Sequence, residues 1–136
     1  MIAVDTNLFI YVLAEHPEYG LAAEAILNRG EQEPLVASVL VIGELLGVSD
    51  ASKATQLSYA RLMLSSLHGL QLVPADEAIV YSAAALMQQQ GLRLQDAIHL
   101  ATAHQAGASE FWTNDKKLAK ITLPGLHVRL LSEHAQ

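Results

Sequence analysis

The first seven residues, Met1-Ile2-Ala3-Val4-Asp5-Thr6-Asn7, set the pattern on which the fold is built. Met1 to Val4 is a short apolar run of the kind that forms a buried strand, and it ends at Asp5. Thr6 and Asn7 then open the stretch from Leu8 to Ala14, which has the apolar character of a helix. The segment therefore predicts a strand, a turn that carries a carboxylate, and a helix.

Short apolar runs continue to alternate with helical patterns along the rest of the chain. Ser38 and Asp76 are placed to cap helices, and Gly47 and Gly91 are placed to end them. Strands are predicted at residues 35–37, 70–73, 110–113 and 128–131, and helices at residues 21–27, 39–46, 52–67, 77–90 and 95–106, with a short helix that ends at residue 120. This alternation predicts a single α/β domain over residues 1–131, with a parallel sheet buried on both faces. Residues 132–136 are polar and are expected to form a frayed tail.

Composition and charge limit the classes of function. Of the 136 residues, 51% are hydrophobic and 16% are charged, which provides enough apolar surface for one folded core. A net charge of -6 is the wrong sign for a protein that grips nucleic acid by broad phosphate neutralisation. Contact with nucleic acid would have to be local, and divalent metal between acidic side chains could supply the positive charge.

Neither a disulfide nor a membrane anchor is expected. The sequence has no cysteine, which excludes thiolate metal sites and a cysteine nucleophile. The amino terminus lacks the features of a secretory signal, because its apolar run ends at Asp5. The longest apolar runs fall far short of the ~20 residues that cross a bilayer. We therefore expect a cytoplasmic protein with no membrane association.

Four acidic residues stand where a site could form. Asp5 and Asp115 each follow an apolar strand, at the edge of a parallel sheet where ligands bind. Asp96 lies in the first turn of a predicted helix, and Glu44 is embedded in an apolar run. The three aspartates could equally be helix caps or turn residues, whereas a buried Glu44 without a cation would be costly. If all four converge, Mg²⁺ or Mn²⁺ is the expected ligand, since oxygen donors favour these ions over zinc.

Four short motifs give the sequence a specific resemblance. They are Ile2-Ala3-Val4-Asp5-Thr6-Asn7, Gly43-Glu44-Leu45, Asp96-Ala97-Ile98-His99-Leu100-Ala101 and Thr113-Asn114-Asp115. In order and spacing they resemble the acidic motifs of PIN domains, and the compact chain is similar to the VapC-like toxin branch of toxin-antitoxin systems. The similarity covers nearly the whole chain.

This resemblance implies a fold, an activity and partners. The fold would be a three-layer α/β/α sandwich whose central, mainly parallel sheet of four or five short strands has the order 3-2-1-4-5. The activity would be RNA cleavage by a homodimeric endoribonuclease, the toxin that a small antitoxin protein holds inactive. Mg²⁺ or Mn²⁺ would be bound by Asp5, Glu44, Asp96 and Asp115, with supporting hydrogen bonds from Thr6, Asn7, Thr113 and Asn114. For the two asparagines, a plain turn or cap role is an equal alternative.

Basic and histidine side chains near the acidic motifs are further candidates. Arg93, Lys116 and Lys117 could hold phosphates of the substrate, although the lysines fit an ordinary solvated helix face better. His99 shares a helix face with Asp96. It could pair with Asp96 or contact substrate, and a position at the edge of the core would explain it more simply.

Two other functions are open on the sequence alone. A housekeeping PIN nuclease would have the same site without an antitoxin. A non-catalytic protein-binding module would dock a partner on its apolar helices, and its acidic residues would serve as caps and salt bridges. A phosphatase with Asp5 as nucleophile is less suitable, because Asn7 stands where a second acid is expected. Metal binding distinguishes the nuclease from the binding module.

Overall fold

Five short parallel strands form the centre of the molecule. In the computed structural model, which describes residues 1–46 and 53–134, they make one sheet in the order β3-β2-β1-β4-β5. Every neighbouring pair is parallel, with Ile2 of the central strand opposite both Leu35 and Glu110. The predicted α/β fold and strand order are confirmed. The strands are β1 (Ile2–Val4), β2 (Leu35–Ser38), β3 (Leu70–Val73), β4 (Glu110–Thr113) and β5 (His127–Leu130).

Helices connect the strands and cover both faces of the sheet. Asp76 caps the fifth helix by accepting a hydrogen bond from the Ile79 amide, and Gly91 ends it in the left-handed conformation at φ 68°, as predicted. No helix in residues 1–46 and 53–134 has both the length and the hydrophobicity of a membrane span. The helices are α1 (Thr6–Leu13), α2 (Gly20–Leu27), α3 (Val41–Glu44), α4 (Lys53–Ser66), α5 (Glu77–Gln90), α6 (Leu94–Ala106) and α7 (Leu131–His134), with 3-10 turns at Asn28–Glu31 and Leu118–Lys120.

The side chains of β1 alternate between two hydrophobic cores, one on each face of the sheet. Ala3 packs in a core with residues of α5 and α6, whereas Ile2 and Val4 pack in a second core with residues of α1 and α2. Successive residues of a strand point to opposite faces, so a strand covered on both sides must be apolar at every position. All of β1 is buried, which explains the unbroken apolar run before Asp5.

The helix predicted at residues 39–46 is a single turn, α3. The Val39 amide bonds to the carbonyl oxygen of Val73 at 3.1 Å, so Val39 continues the pairing of β2 with β3, and its own carbonyl oxygen accepts the Ile42 amide at 3.1 Å to open the turn. Leu40 occupies the cap position instead of Ser38, although the Ser38 hydroxyl accepts a bond from the Leu40 amide at 3.2 Å. The predicted helix is therefore confirmed in position but is shorter than expected, because the apolar run supplies both a strand extension and a helical turn.

Glu44, on this turn, is not enclosed by apolar neighbours as its sequence position suggests. Leu45 is buried, but Ile42 and Leu46, two residues before and after Glu44, are 40% and 45% exposed, and the Glu44 side chain is 35% exposed. The short turn packs on one side only, which gives Glu44 access to solvent. The predicted end of the helix at Gly47 lies outside the described residues.

The C-terminal segment is helical where the sequence predicts a frayed tail. Strand β5 ends at Leu130, and Leu131 begins α7 with its side chain fully buried. The ring of His134 packs edge-on against Trp112, with 5.4 Å between centroids. The buried leucine, the aromatic contact and a hydrogen bond from the Ser132 amide to Asn114 thus hold a polar segment against the domain. Residues 135 and 136 lie outside the described residues.

Candidate active site

Asp5 lies at the carboxyl end of the central strand, where β1 gives way to α1. Its backbone amide bonds to the carbonyl oxygen of Trp112 at 2.9 Å, which continues the sheet, and its side chain caps α1. One carboxylate oxygen accepts the Thr6 amide at 2.8 Å, and the other accepts the Thr113 hydroxyl at 2.7 Å. Burial raises the pKa of Asp5, although the nearby His99 ring opposes this. Each oxygen is thereby fixed but can still accept a further bond, because a carboxylate oxygen has two lone pairs.

Glu44 is held beside Asp5 by two side chains. Its Oε1 atom lies 2.5 Å from Nε2 of His99 and accepts the Thr6 hydroxyl at 2.8 Å. Nε2 of His99 also lies 3.9 Å from Oδ1 of Asp5. Helices α1, α3 and α6 therefore meet at this point, through a buried histidine that lies between two carboxylates.

The pKa values of this group follow from burial opposed by charge. Burial by itself would raise the pKa of Glu44, but the hydrogen bond and the charge of His99 lower it below its usual value. Burial would likewise lower the pKa of His99, but the hydrogen bond to Glu44 and the charge of Asp5 raise it. Both shifts favour the ion pair of a cationic His99 ring and an anionic Glu44 carboxylate, whereas the raised pKa of Asp5 does not.

Asp96 and Asp115 lie together in a second part of the same edge. They line a hollow of about 240 Å³ with Arg93 and Lys117. Arg93 Nε lies 3.2 Å from Oδ2 of Asp96, and its charge also acts on Asp115. Asp115 is fixed locally: its amide bonds to the Thr113 hydroxyl oxygen at 3.1 Å, and its Oδ1 accepts the Lys117 amide at 2.9 Å. Because the Thr113 hydroxyl also donates to Asp5, it joins the two parts of the edge.

All four predicted carboxylates thus lie at one edge of the sheet, but as two adjoining groups. Asp96 is near enough for its charge to raise the pKa of Asp5. Even so, no three acidic or histidine side chains in residues 1–46 and 53–134 come close enough together to form a ready-made metal site. Each group contains its own cation, His99 in one and Arg93 in the other.

The two predicted supporting asparagines differ in their contacts. Nδ2 of Asn7 lies 3.4 Å from Oγ1 of Thr113, and its buried Oδ1 has no partner among the described residues. Asn114 does not bond to Asp115. It donates to the Tyr11 hydroxyl at 3.1 Å and accepts the Ser132 amide at 3.0 Å, so it connects α1 to the start of α7. Asn7 therefore contacts the threonine that bonds to Asp5, whereas the contacts of Asn114 connect elements of the fold.

The predicted basic residues and His99 differ in how close they lie to the acidic side chains. Arg93 and Lys117 line the hollow, whereas Lys116 is exposed and lies outside its lining. His99 has a more central position than its sequence suggests. Helical spacing puts it on the face of Asp96, but its partner is Glu44, 55 residues earlier in the chain. No local pattern signals such a contact.

Solved structures share this fold. A toxin-antitoxin complex from Klebsiella pneumoniae contains a chain with 27% identity and a TM-score of 0.70, and the match covers 93% of this chain and 95% of that one. For VapBC2 from Rickettsia felis, bound to a promoter DNA fragment, the identity is 23%, the TM-score 0.68 and the coverage 96% and 98%. For FitAB bound to the IR36 DNA fragment, the values are 18%, 0.66, 97% and 96%. The last two similarities show the fold alone.

The sequence places the chain in a family. No curated protein sequence matches it significantly. The profile of the PIN domain, however, matches residues 2–123, which is most of the chain and includes all four acidic motifs. The chain therefore belongs to the PIN domain family.

Proposed function

We propose that this protein is a metal-dependent endoribonuclease that hydrolyses phosphodiester bonds in RNA. One observation carries the proposal: Asp5, Glu44, Asp96 and Asp115 come from four separate parts of a PIN domain and lie at one edge of its sheet. That edge, beyond the carboxyl ends of parallel strands, is where α/β sheets bind ligands. Carboxylates gathered at such an edge repel one another, and a bound cation would offset that repulsion.

Mg²⁺ or Mn²⁺ is the metal that these side chains would hold. The donors are all carboxylate oxygens, which both ions prefer. Mg²⁺ commonly keeps several waters and is bound through only one or two carboxylates, so it does not need a ready group of three ligands. Asp5 is the first candidate ligand, because it is buried with both oxygens fixed by hydrogen bonds. Asp96, Glu44 and Asp115 would supply the remaining contacts, directly or through water.

The chain's own residues would position the reacting groups. When bound, the metal would lower the pKa of a water molecule and offset the charge that grows on the phosphate. Among the residues that the structure describes, both hydrogen bonds to Glu44 use Oε1, so Oε2 is the oxygen that can orient a cation or a water. Asp5 and Asp115 are held at a fixed separation by the one hydroxyl of Thr113. Since water attacks, no nucleophilic side chain is needed.

The substrate would be held by local positive charge. Arg93 has a side chain that is 79% exposed, and it lines the hollow with Lys117 beside Asp96 and Asp115. These two cations can contact phosphates that flank the scissile bond, in a chain whose overall charge of -6 opposes broad binding. Lys116, one residue before Lys117, could add a peripheral contact. The choice of RNA over DNA rests on the resemblance to the VapC-like branch.

A small antitoxin protein and a second copy of the chain are the proposed partners. Two structures with the same fold support the antitoxin, because one is described as a toxin-antitoxin complex and another as VapBC2. The antitoxin would cover the acidic edge and keep the nuclease inactive. The homodimer rests on the family resemblance alone.

Two alternatives would leave the fold unchanged. A housekeeping PIN nuclease would have the same metal site but no antitoxin, so its expression alone would not arrest growth and no small protein would copurify. A non-catalytic binding module would bind no metal at the acidic edge, where His99 and Arg93 would serve as permanent counter-ions.

The test incubates purified protein with cellular RNA and Mn²⁺, and maps the cut ends. The Asp5→Asn variant and a chelator control should both abolish cleavage, since asparagine can still cap α1 but provides a weaker ligand. Asp76→Asn is the matched control, because Asp76 caps α5 away from the acidic edge and asparagine preserves the cap. Cleavage that survives in Asp5→Asn and in the chelator would be contamination and would count against the proposal.

A further inference from the structure

We propose that His99 is a positioning residue, which holds Glu44 at the active site through a hydrogen bond from its imidazole Nε2 to Glu44 Oε1. This inference rests on the proposed function, because it assumes that Glu44 contributes to metal binding. It assigns a role to a residue that is not one of the four acidic positions.

The direction of the hydrogen bond follows from the chemistry of the three groups. Glu44 as a carboxylate can only accept, and the hydrogen of the Thr6 hydroxyl is already donated to the same Oε1 atom at 2.8 Å. Nε2 of His99, 2.5 Å from Oε1, must therefore carry the proton and donate it. Two donors that converge on one oxygen fix the rotation of the carboxylate, and Oε2 accepts no bond from the part of the chain that the structure describes.

Glu44 depends on such anchors because its own helix does little to fix it. Helix α3 is one turn of four residues, too short to be stable by its own hydrogen bonds, and the Glu44 side chain is 35% exposed. Its two partners are rigid by comparison, since Thr6 and His99 are 4% and 2% exposed. A flexible surface side chain is thus tied to two points in the core.

The other ring nitrogen of His99 argues against a role in stability alone. Nδ1 is buried, and it has no hydrogen-bond partner among the described residues. A buried polar atom without a partner is unfavourable, so a histidine here costs stability that an apolar side chain of similar size would not. The polar contacts of the ring go to the site: Glu44 at 2.5 Å, Thr6 at 3.3 Å and Asp5 at 3.9 Å.

Through His99, helix α6 sets the relative positions of three carboxylates. Asp96 projects from its first turn into the hollow, and His99, three residues later on the same face, reaches Glu44 and approaches Asp5. Residues three apart on a helix are neighbours on one face, so Asp96 and His99 move as a unit. The histidine therefore links the one-turn helix α3, which carries Glu44, to the long, buried helix α6.

The test compares His99→Gln with His99→Leu by calorimetric titration of the metal-free protein with Mn²⁺. The Nε2 amide of glutamine can replace the imidazole Nε2–H, whereas leucine fills the space without a donor. We expect His99→Leu to stay folded and to bind Mn²⁺ about 10- to 100-fold more weakly, as for other residues that orient metal ligands. His99→Gln should recover most of that loss. In a Glu44→Gln background, His99→Leu should change the affinity by less than about twofold, because the group through which it acts is gone.

Unchanged Mn²⁺ affinity in His99→Leu would overturn the inference, and so would an equal loss with and without the Glu44 carboxylate. If the wild-type protein binds no Mn²⁺, the proposed function fails. The role of His99 in holding Glu44 is then tested by NMR of the metal-free protein. Long-range proton-nitrogen NMR should show a protonated Nε2 in His99 whose resonance moves in Glu44→Gln. An unprotonated Nε2, or one that does not respond to Glu44→Gln, would show that His99 does not hold this carboxylate.

Discussion

Replacing Thr113 by valine should uncouple the two groups of carboxylates while leaving the packing intact. Thr113 is fully buried, and its hydroxyl donates to Asp5 at 2.7 Å while it accepts the Asp115 amide at 3.1 Å. A hydrogen bond to a charged group contributes about 1.5 to 3 kcal/mol, and a neutral one about 1 kcal/mol. The bond to Asn7 is 3.4 Å long and adds little. Valine has almost the same shape, so no cavity term is added, and the free energy of unfolding should fall by about 3 kcal/mol.

The matched control is Thr102→Val. Thr102 is equally buried, but its hydroxyl donates at 2.7 Å to the backbone carbonyl oxygen of Ile98 in the same helix, α6, and not to an acidic site residue. Removing that bond should cost less than about 1 kcal/mol. Urea denaturation measures both variants, and Mn²⁺ titration should show a loss of about tenfold or more in Thr113→Val alone. Equal destabilisation of the two variants, or wild-type Mn²⁺ affinity in Thr113→Val, would refute the proposed link between Asp5 and Asp115.

Three other measurements test the fold, its charges and its substrate contact. Gly30→Ala should lower the free energy of unfolding by about 2 kcal/mol or more, because the added Cβ would lie 2.1 Å from a backbone oxygen of the turn before β3. In the same denaturation assay Gly43→Ala should be neutral or slightly stabilising, because its Cβ would meet nothing within 4 Å. The hydrogen bond from Arg29 lowers the pKa of Glu33 below its usual 4.5, so this pair stabilises the fold above that pH and its contribution is lost as the pH falls through the folded pKa of Glu33. In Arg29→Gln the free energy of unfolding should therefore fall less steeply on acidification than in the wild type. A pH profile that runs parallel to the wild-type profile would contradict the pairing. Lys117→Gln should weaken RNA binding and reduce the salt dependence of RNA affinity by about one phosphate contact. The Mn²⁺ affinity should be unchanged, because the Lys117 backbone amide, which bonds to Asp115, is retained. An unchanged salt dependence would place the Lys117 side chain outside the RNA contact.

The fold could be predicted closely because its signals are local. Residues 70–73, 77–90 and 110–113 have the predicted bounds, since a cap such as Asp76 and a left-handed glycine such as Gly91 act within one turn of their own position. The short length of the helix predicted at 39–46 could not be predicted, because Val39 pairs with the carbonyl oxygen of Val73 across the sheet. Burial of Leu131, which makes residues 131–134 helical, is likewise a tertiary effect.

For the candidate site, the sequence determined which carboxylates stand at the ends of strands and at the start of a helix. Asp5 and Asp115 follow short runs that the sequence predicts as strands, and the order of strands in a parallel sheet brings their ends to one edge. The separation and orientation of these acids depend on tertiary contacts. Thr113 joins Asp5 to Asp115, and His99 joins α6 to Glu44, through contacts 108 and 55 residues apart along the chain. Hydrogen bonds of that span depend on how whole elements pack, and no spacing within the sequence encodes them.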